Sequence, residues 1–415
     1  MAVRPDADAM GTTSDLQTAS RTPKGRLGLP FDCAVIISPF FWNFRDDMWQ
    51  TTHNIAIQLA QRVPTILVEP PAAWDARSEQ FRLLRLMTSL FGRRARRARP
   101  NLLVFRRRTL PVGRLDAVRW FDTRRNTAAL RRYLARAGFR RPLLWHSFPY
   151  WSESWIDAVD YAITVYHCLD YSPRDEEARI IRRADVVFGV SETLVDKHRA
   201  LNPRTYLLPN GVDLELFDRR RATTTPRPND LPEGRTIGFV GSINCHVDLE
   251  LVETLAQRFS LDHVILVGRV LDNETAPRGP QAEALTRLRS QRNVRLLGFK
   301  ASPELPAYMN SFDVCLVPFL ANPFNQECDP LKFYQYLAFG KPVVTTAGVP
   351  VAQRYRDICY PAVSHEDFVR QTAVALAEPA DAPQRARRLT VAEGHSWNAL
   401  VEQAISTIAR PGNAP

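Results

Sequence analysis

The sequence predicts an α/β protein made of two doubly wound parallel-sheet, Rossmann-like domains facing a cleft. Three observations predict it. Short runs rich in Val, Ile, Leu and Tyr alternate with stretches of helical spacing. The runs are continuously apolar, as in strands covered on both faces, rather than alternating. The alternation stops at 219–235 (RRRATTTPRPNDLPEGR), whose Pro- and Thr-rich polar composition is that of a linker, and then restarts.

Residues 1–30 are polar and read as a disordered leader without the apolar region of a signal peptide. The first domain, 31–218, carries the strand candidates AVIIS (34–38), TILVE (65–69), LLVF (102–105), LLWH (143–146), AITVY (162–166), VVFGV (186–190) and TYLLP (205–209). TTHNIAIQLAQR and SETLVDKHRAL between them have helical spacing. The second domain, 236–385, carries TIGFV (236–240), HVILV (263–267), VRLL (294–297), DVCLV (313–317) and PVVTT (342–346), with helical stretches such as DLELVETLAQRF. Residues 386–415 form a C-terminal helical segment around WNALVEQAISTIA (397–409). In such sheets ligands bind beyond the carboxyl ends of the strands.

The chain has 415 residues, 45% hydrophobic and 24% charged, which excludes wholesale disorder. Lys+Arg is 55 against Asp+Glu 44, a net charge of +11. Only Lys24, Lys197, Lys300, Lys332 and Lys341 are lysines, so each merits its own reading. The six cysteines (33, 168, 245, 315, 328, 359) offer no CxxC and no zinc-ligand spacing, and most sit in apolar runs, as buried thiols in a reducing compartment do. No run approaches the roughly 18–20 apolar residues of a membrane span. These features exclude a secreted disulfide scaffold, a collagen, a coiled coil and an integral membrane protein, and the expectation is a cytoplasmic protein.

Three phosphate or nucleophile motifs are absent. No GxGxxG follows a strand, which argues against a dinucleotide oxidoreductase. The GK at Gly340-Lys341 has Gln335 where a P-loop needs Gly and Pro342 where it needs Ser or Thr. No GxSxG elbow appears.

The most informative stretch is PFLANPFNQECDPLKFYQYLAFGKPVV (318–344). Asp329 reads as a helix N-cap, Pro330 as the first helical position, Leu331 to Phe339 as the helix and Gly340 as its C′ residue. The helix entrance then faces the carboxyl end of the sheet. A helix N-terminus attracts anions, and Lys332 in its first turn makes sense if a diphosphate supplies compensating charge. The same residues fit an ordinary capped helix with a solvated lysine, and an Asp329 cap competes for the N–H groups a phosphate would use. Gly241-Ser242, after the first strand of the second domain, lets the backbone approach a phosphate closely and adds a hydroxyl donor. Arg269, after VILVG, offers further positive charge or is a surface arginine.

NQECDPLKFYQYLAFGKPVV resembles the nucleotide-sugar signature of the retaining GT-B glycosyltransferases, family-4-like (glycosyl transferases group 1). YLLPNGVDLELF (206–217), ADVVFGVSETL (184–194), TIGFVGSINCHVDLELVETLA and VRLLGFKASPELPAYMNSFDVCLVPF resemble further blocks of that group, in its order, and the opening of the second domain resembles the subgroup used in polysaccharide and cell-wall polymer biosynthesis. The resemblance covers nearly the whole chain after residue 30. It implies that Glu327 is the first glutamate of the Glu-x7-Glu motif. Gln335 stands at the second, where it keeps one carbonyl acceptor for a ribose hydroxyl but no charge. The arginine common after the glycine at 241 is absent. The resemblance makes His167, in VYHCLDYSP, the histidine beside the donor sugar, and Lys332, Glu327 and His167 the catalytic set. Gly241, Ser242, Arg269, Asp329, Leu331 and Gln335 form the donor-binding set.

On the acceptor side, the first βα connection (38–59) offers Phe40, Phe41, Trp42 and Trp49 for stacking on sugar rings, with Arg45, Asp46, Asp47 and His53 for hydroxyls. It fits equally an amphipathic helix start. His146, ending LLWH, and Asp170 are further polar candidates. Residues 82–108 hold ten arginines and no acidic residue, and begin with an apolar face from Leu83 to Phe91. A basic amphipathic segment suits an anionic membrane surface; it also suits a solvated Arg-rich face, and no nucleic-acid-binding pattern accompanies it.

The expected function is transfer of a sugar from a nucleoside-diphosphate-sugar to a glycan or lipid-linked glycan acceptor, with retention as the resemblance implies, at the inner face of the cell membrane. No cofactor, no metal and no nucleic acid are expected. Two alternatives stay open. One is an inverting transferase on the same fold, with Asp47, His53 or Asp170 as base. The other is a non-catalytic sugar-nucleotide or polyanion-binding protein.

Overall fold

The computed structural model describes residues 28–42, 51–71, 94–109, 116–149, 153–172 and 175–410. Most of the leader, Asp47 and residues 82–93 of the basic stretch lie outside them. The chain divides into two compact units, residues 1–42 with 56–165, and residues 43–55 with 166–415.

The first unit holds β1 (Cys33–Ile37), β2 (Thr65–Val68), β3 (Ala95–Arg99), β4 (Leu102–Phe105) and β5 (Pro142–His146), in the order β3-β4-β2-β1-β5. All neighbours are parallel except β3 with β4. Val35, Ile37, Val68 and Phe105 pack with Leu130 and Leu134 and with Trp155 into one core. β3 (ARRAR) is a strand that hydrophobic patterning does not reveal. It pairs antiparallel with β4 across a tight turn in which Asn101 adopts φ 58, with a register shift between Arg97 and Arg99. An arginine-studded, bulged strand at a sheet edge discourages further pairing. The described part of the basic stretch is therefore a β-hairpin, and the apolar face read over 83–91 lies outside the described residues.

β6 (Ile163–Cys168) crosses the boundary between the units, and β7 (Val186–Gly189) and β8 (Thr205–Leu207) follow it in that order. The second unit then builds a six-stranded sheet from β9 (Thr236–Val240), β10 (His263–Val267), β11 (Val294–Gly298), β12 (Val314–Val317), β13 (Val343–Thr346) and β14 (Tyr360–Ala362), ordered β11-β10-β9-β12-β13-β14 and parallel throughout. Alternate residues of β9 serve opposite faces. Ile237 and Phe239 pack with Leu249, Leu251 and Leu255, while Val240 joins Ile265, Phe312 and Phe333. Gly238 is obligatory between them, because a Cβ there would lie 2.2 Å from the Phe312 ring. This two-sided burial is why the strands read as unbroken apolar runs.

Five helices of the second unit carry the site: α1 (Thr51–Ala60, which continues into the first unit), α3 (Asp175–Arg183), α4 (Glu192–Arg199), α5 (Pro323–Glu327) and α6 (Leu331–Ala338); α2 (Asp116–Ala137) belongs to the first unit. Residues 219–235, read as a linker, begin with a short helix, Arg219–Thr224. The C-terminal segment returns to the PNGVD stretch. Val212 N–H donates to the His395 carbonyl at 2.9 Å, and a Cβ on Gly211 would lie 2.8 Å from that same oxygen. All six cysteines are free thiols.

Candidate functional site

The sheet of the second unit and α6 meet at one corner. β9 ends at Val240, whose N–H donates to the Tyr336 hydroxyl at 2.8 Å. Tyr336 and Lys332 are four residues apart and so share a face of α6. The tyrosine fastens the helix to the strand end, and the lysine reaches the next residue, Gly241. A Cβ on Gly241 (φ 148) would fall 2.8 Å from Lys332 Cε and 2.9 Å from Nζ. Gly268 (φ 151), after β10, is closer still, since a Cβ there would lie 1.9 Å from the Gly241 carbonyl oxygen. Backbone conformation calls for glycine at both, and at 268 the neighbouring backbone leaves no space for a side chain.

Lys332 Nζ sits 4.8 Å from the centroid of Phe239 and 4.6 Å from that of Phe319. These two rings are its cation–π partners, and it has no ion pair among the described residues. Burial pulls its pKa down to about 8. No side chain caps the first turn of α6, whose cap residue is Pro330. The corner thus joins an uncompensated cation, a close-approach glycine and an uncapped helix start.

Asp329 does not cap α6, contrary to the sequence reading. Its Oδ2 accepts from Asn210 N at 2.6 Å and its Oδ1 from the Tyr334 hydroxyl at 2.9 Å, with Arg354 Nη1 at 3.4 Å. Its own carbonyl accepts from Asn210 Nδ2 at 2.6 Å, and Thr51 Oγ1 holds Asn210 Oδ1 at 2.7 Å. Burial raises the Asp329 carboxyl to about 6 despite Arg354. A carboxylate so occupied is a brace, and it leaves the first-turn amides to another acceptor.

Glu327 closes α5. Lys197 Nζ pairs with both of its carboxylate oxygens, at 2.9 and 3.1 Å, and stands 5.0 Å from the Tyr171 ring. Ser191 caps α4 through Leu194 N and donates to the Glu327 carbonyl at 2.7 Å. The serine of ADVVFGVSETL therefore does two jobs. Ser191, Lys197, Asn210, Tyr336 and the rings of Phe239 and Phe319 were not singled out from the sequence. For Lys197 the rarity of lysine was the available signal, and for Tyr336 its four-residue spacing from Lys332.

The remaining candidates divide. Ser242 and Arg269 are exposed on the loops after β9 and β10, where Ile243 N–H donates to the Arg269 carbonyl at 2.9 Å and the guanidinium lies 5.5 Å from the Phe299 ring. Leu331 and Gln335 are half-buried on α6. His167 is fully buried, its Nε2 3.1 Å from the Leu208 carbonyl, and burial pulls it down to about 4. His53 is buried in α1, and His146 is buried at the end of β5, pulled down to about 3. Neither histidine is solvent-facing. Asp170 has its carboxyl pushed up to about 7 by burial and makes no side-chain hydrogen bond among the described residues. No helix of the described residues is long and apolar enough to cross a membrane.

Residues 234–378 match the family model for Glycosyl transferases group 1. TuaH of Bacillus subtilis (strain 168), named as a teichuronic acid biosynthesis glycosyltransferase, is 29% identical over 237 residues, 55% of this chain and 58% of that protein. The chain thus spans little more than half the length of that relative. Among solved structures, sucrose-phosphate synthase from Thermosynechococcus elongatus superposes with a TM-score of 0.65 at 17% identity, covering 90% of this chain and 97% of that one. Anabaena HepE in complex with UDP and glucose gives 0.58 at 15% identity over 91% and 99%. E. coli trehalose-6-phosphate protein bound with UDP-2-fluoro glucose gives 0.64 at 10% over 92% and 99%. At these identities the likeness is one of fold, and the fold is GT-B. The resemblance read from the sequence to group 1 glycosyltransferases is borne out.

Proposed function

We propose that this chain is a glycosyltransferase. It moves a sugar from a nucleoside-diphosphate-sugar to a glycan or lipid-linked glycan acceptor, with retention, during synthesis of a cell-surface polymer. The observation that carries this reading is Lys332, a shielded cation without a counter-ion among the described residues, set against Gly241 at an uncapped helix start. A sugar diphosphate fills that deficit of negative charge. The family match over 234–378 spans the same corner, the relative TuaH is named for polymer synthesis, and HepE binds UDP and glucose on the same fold.

In the proposed reaction the bond between the anomeric carbon and the diphosphate oxygen breaks. Charge grows on that oxygen, and Lys332 with the first-turn amides of α6 stabilises it. The acceptor hydroxyl oxygen bonds the anomeric carbon from the same face, and its proton passes to the departing diphosphate. Lys197 and Ser191 fix Glu327 as a positioning group. Gln335 and Leu331 line the helix face toward the nucleoside, and Ser242 and Arg269 flank the diphosphate. His167 shapes this region through its backbone.

An inverting transferase is the second reading, favoured by Asp170, whose near-neutral carboxyl suits a general base. The anomeric configuration of the product decides between them. Screening hydrolysis of several nucleotide sugars, with Lys332→Ala as control, tests the activity itself. Turnover unaffected by that substitution overturns the site.

The acceptor is proposed to be met at an anionic membrane face. Trp120 (61% exposed) and Phe121 (49%) stand side by side on α2, with Arg124 4.8 Å from the Trp120 ring and Arg125 5.9 Å from that of Phe121. Arg94 of the hairpin reaches the Arg125 carbonyl at 3.5 Å, which places the basic hairpin beside this helix. Exposed aromatics among arginines suit the interface of headgroups and acyl chains.

A further inference from the structure

Three buried side chains from three elements converge in the second unit. Cys168 ends β6, Glu177 lies in the first turn of α3 and His198 lies in the last turn of α4. They are 1%, 3% and 2% exposed. One ligand atom from each lies within 4.8 Å of the others. Glu177 Oε1 accepts from the Tyr166 hydroxyl at 2.7 Å and from Cys168 Sγ at 3.2 Å. Neither nitrogen of His198 has a hydrogen-bond partner among the described residues. A buried imidazole with both nitrogens unmatched, set beside a thiol and a carboxylate, lacks a partner among the described residues.

We propose that Cys168, Glu177 and His198 bind a zinc ion. Sulfur, nitrogen and oxygen donors together suit zinc better than magnesium or calcium. A thiolate, a carboxylate and a neutral imidazole around Zn²⁺ sum to zero charge, so the assembled site can be buried without a stray ion. Binding expels the Cys168 proton to solvent, and the Tyr166 hydroxyl stays on Glu177 as an outer hydrogen bond that orients it. A water fills the fourth tetrahedral position. The ligands are spread over β6, α3 and α4, so no short cysteine motif announces them.

The site is structural, and it sits one residue from the proposed donor machinery, since His198 follows Lys197, the partner of Glu327. Zinc ties α4 to β6 and thereby fixes where Lys197 stands. The proposal itself does not depend on the glycosyltransferase reading.

The test is metal binding by the full chain, stripped with a chelator and titrated with Zn²⁺ against a chromophoric competitor. One tightly held ion per chain is expected, with a rise in melting temperature on reloading. Cys168→Ser and His198→Ala should each weaken binding by at least about 100-fold and abolish the thermal shift. Cys245→Ser, altering the only thiol that is not buried, should retain wild-type binding. Co²⁺ in the wild-type chain should give a thiolate-to-cobalt charge-transfer band, a readout that needs no variant to fold. A wild-type chain that takes up no zinc and shows no such band overturns the proposal, as does uptake that is unchanged in Cys168→Ser.

Discussion

The two units hold positive charge in opposite ways. In the first, arginines crowd a surface: Arg94, Arg96, Arg97 and Arg99 in the hairpin, and Arg119, Arg124 and Arg125 on α2. There Arg94, Arg124 and Arg125 lie over aromatic rings, Arg94 and Arg125 also reach backbone carbonyls, and Arg107 turns inward over Trp155 at 5.2 Å. In the second, Lys332 is shielded between two rings and has no carboxylate partner among the described residues. Exposed charges are screened within about 8–10 Å at ordinary salt, and each contributes little alone. A shielded charge acts in a low dielectric, where one residue can decide binding. What the contrast teaches is that fifty arginines say less about chemistry than one lysine without a counter-ion.

The largest expected effect breaks the lysine side of this contrast. Lys332→Ala should lower turnover by about 100-fold or more, the scale of removing one charge-stabilising donor; single-turnover kinetics with a nucleotide sugar would measure it. Gly241→Ala should cost about tenfold or more through the displaced lysine, because the new methyl would sit 2.9 Å from Nζ, while far-ultraviolet circular dichroism stays native. The pH dependence sharpens the same point. With a pKa of about 8, Lys332 is charged below that value and neutral above it. kcat/KM for the donor should therefore hold up to about pH 8 and fall beyond, and Lys332→Arg should lose that falling limb.

Asn210→Ala should destabilise the chain by about 2–4 kcal/mol, seen as a lower melting temperature, because it removes the amide donor to the Asp329 carbonyl and the acceptor of Thr51. On the arginine side the effect is smallest. Trp120→Ala with Arg124→Ser should weaken binding to vesicles containing anionic lipid by about tenfold at low salt and less at high salt. Unchanged partitioning would leave that surface merely solvated.

Each of the twelve apolar runs is a strand, and for the central ones this is because burial on both faces writes itself into composition, while β8 and β11 at the sheet edges are only partly buried. The two strands that escaped are edges of another kind. β3 is mostly arginine, and β14 (YPA) contains Pro361, which an edge strand tolerates. The lysine and glycine of the proposed donor corner were legible from motif and position. Their meeting was not, since it depends on the distant Tyr336 hydroxyl holding Val240. Asp329 was misread for a related reason: a cap is inferred from local sequence, but Asn210 and Tyr334 outcompete the first-turn amides. The histidines were legible as residues after strands and opaque as to burial, which only the packed sheet determines.

The neighbouring glycines at 241 and 268 constrain how this chain can change over generations. A side chain at 268 would begin 1.9 Å from the Gly241 carbonyl oxygen, so that codon cannot drift without dislodging its neighbour, whereas a side chain at 241 would push on Lys332 instead. Change at this corner is therefore easier through the exposed side chains alongside, Ser242 and Arg269, than at the two glycines themselves.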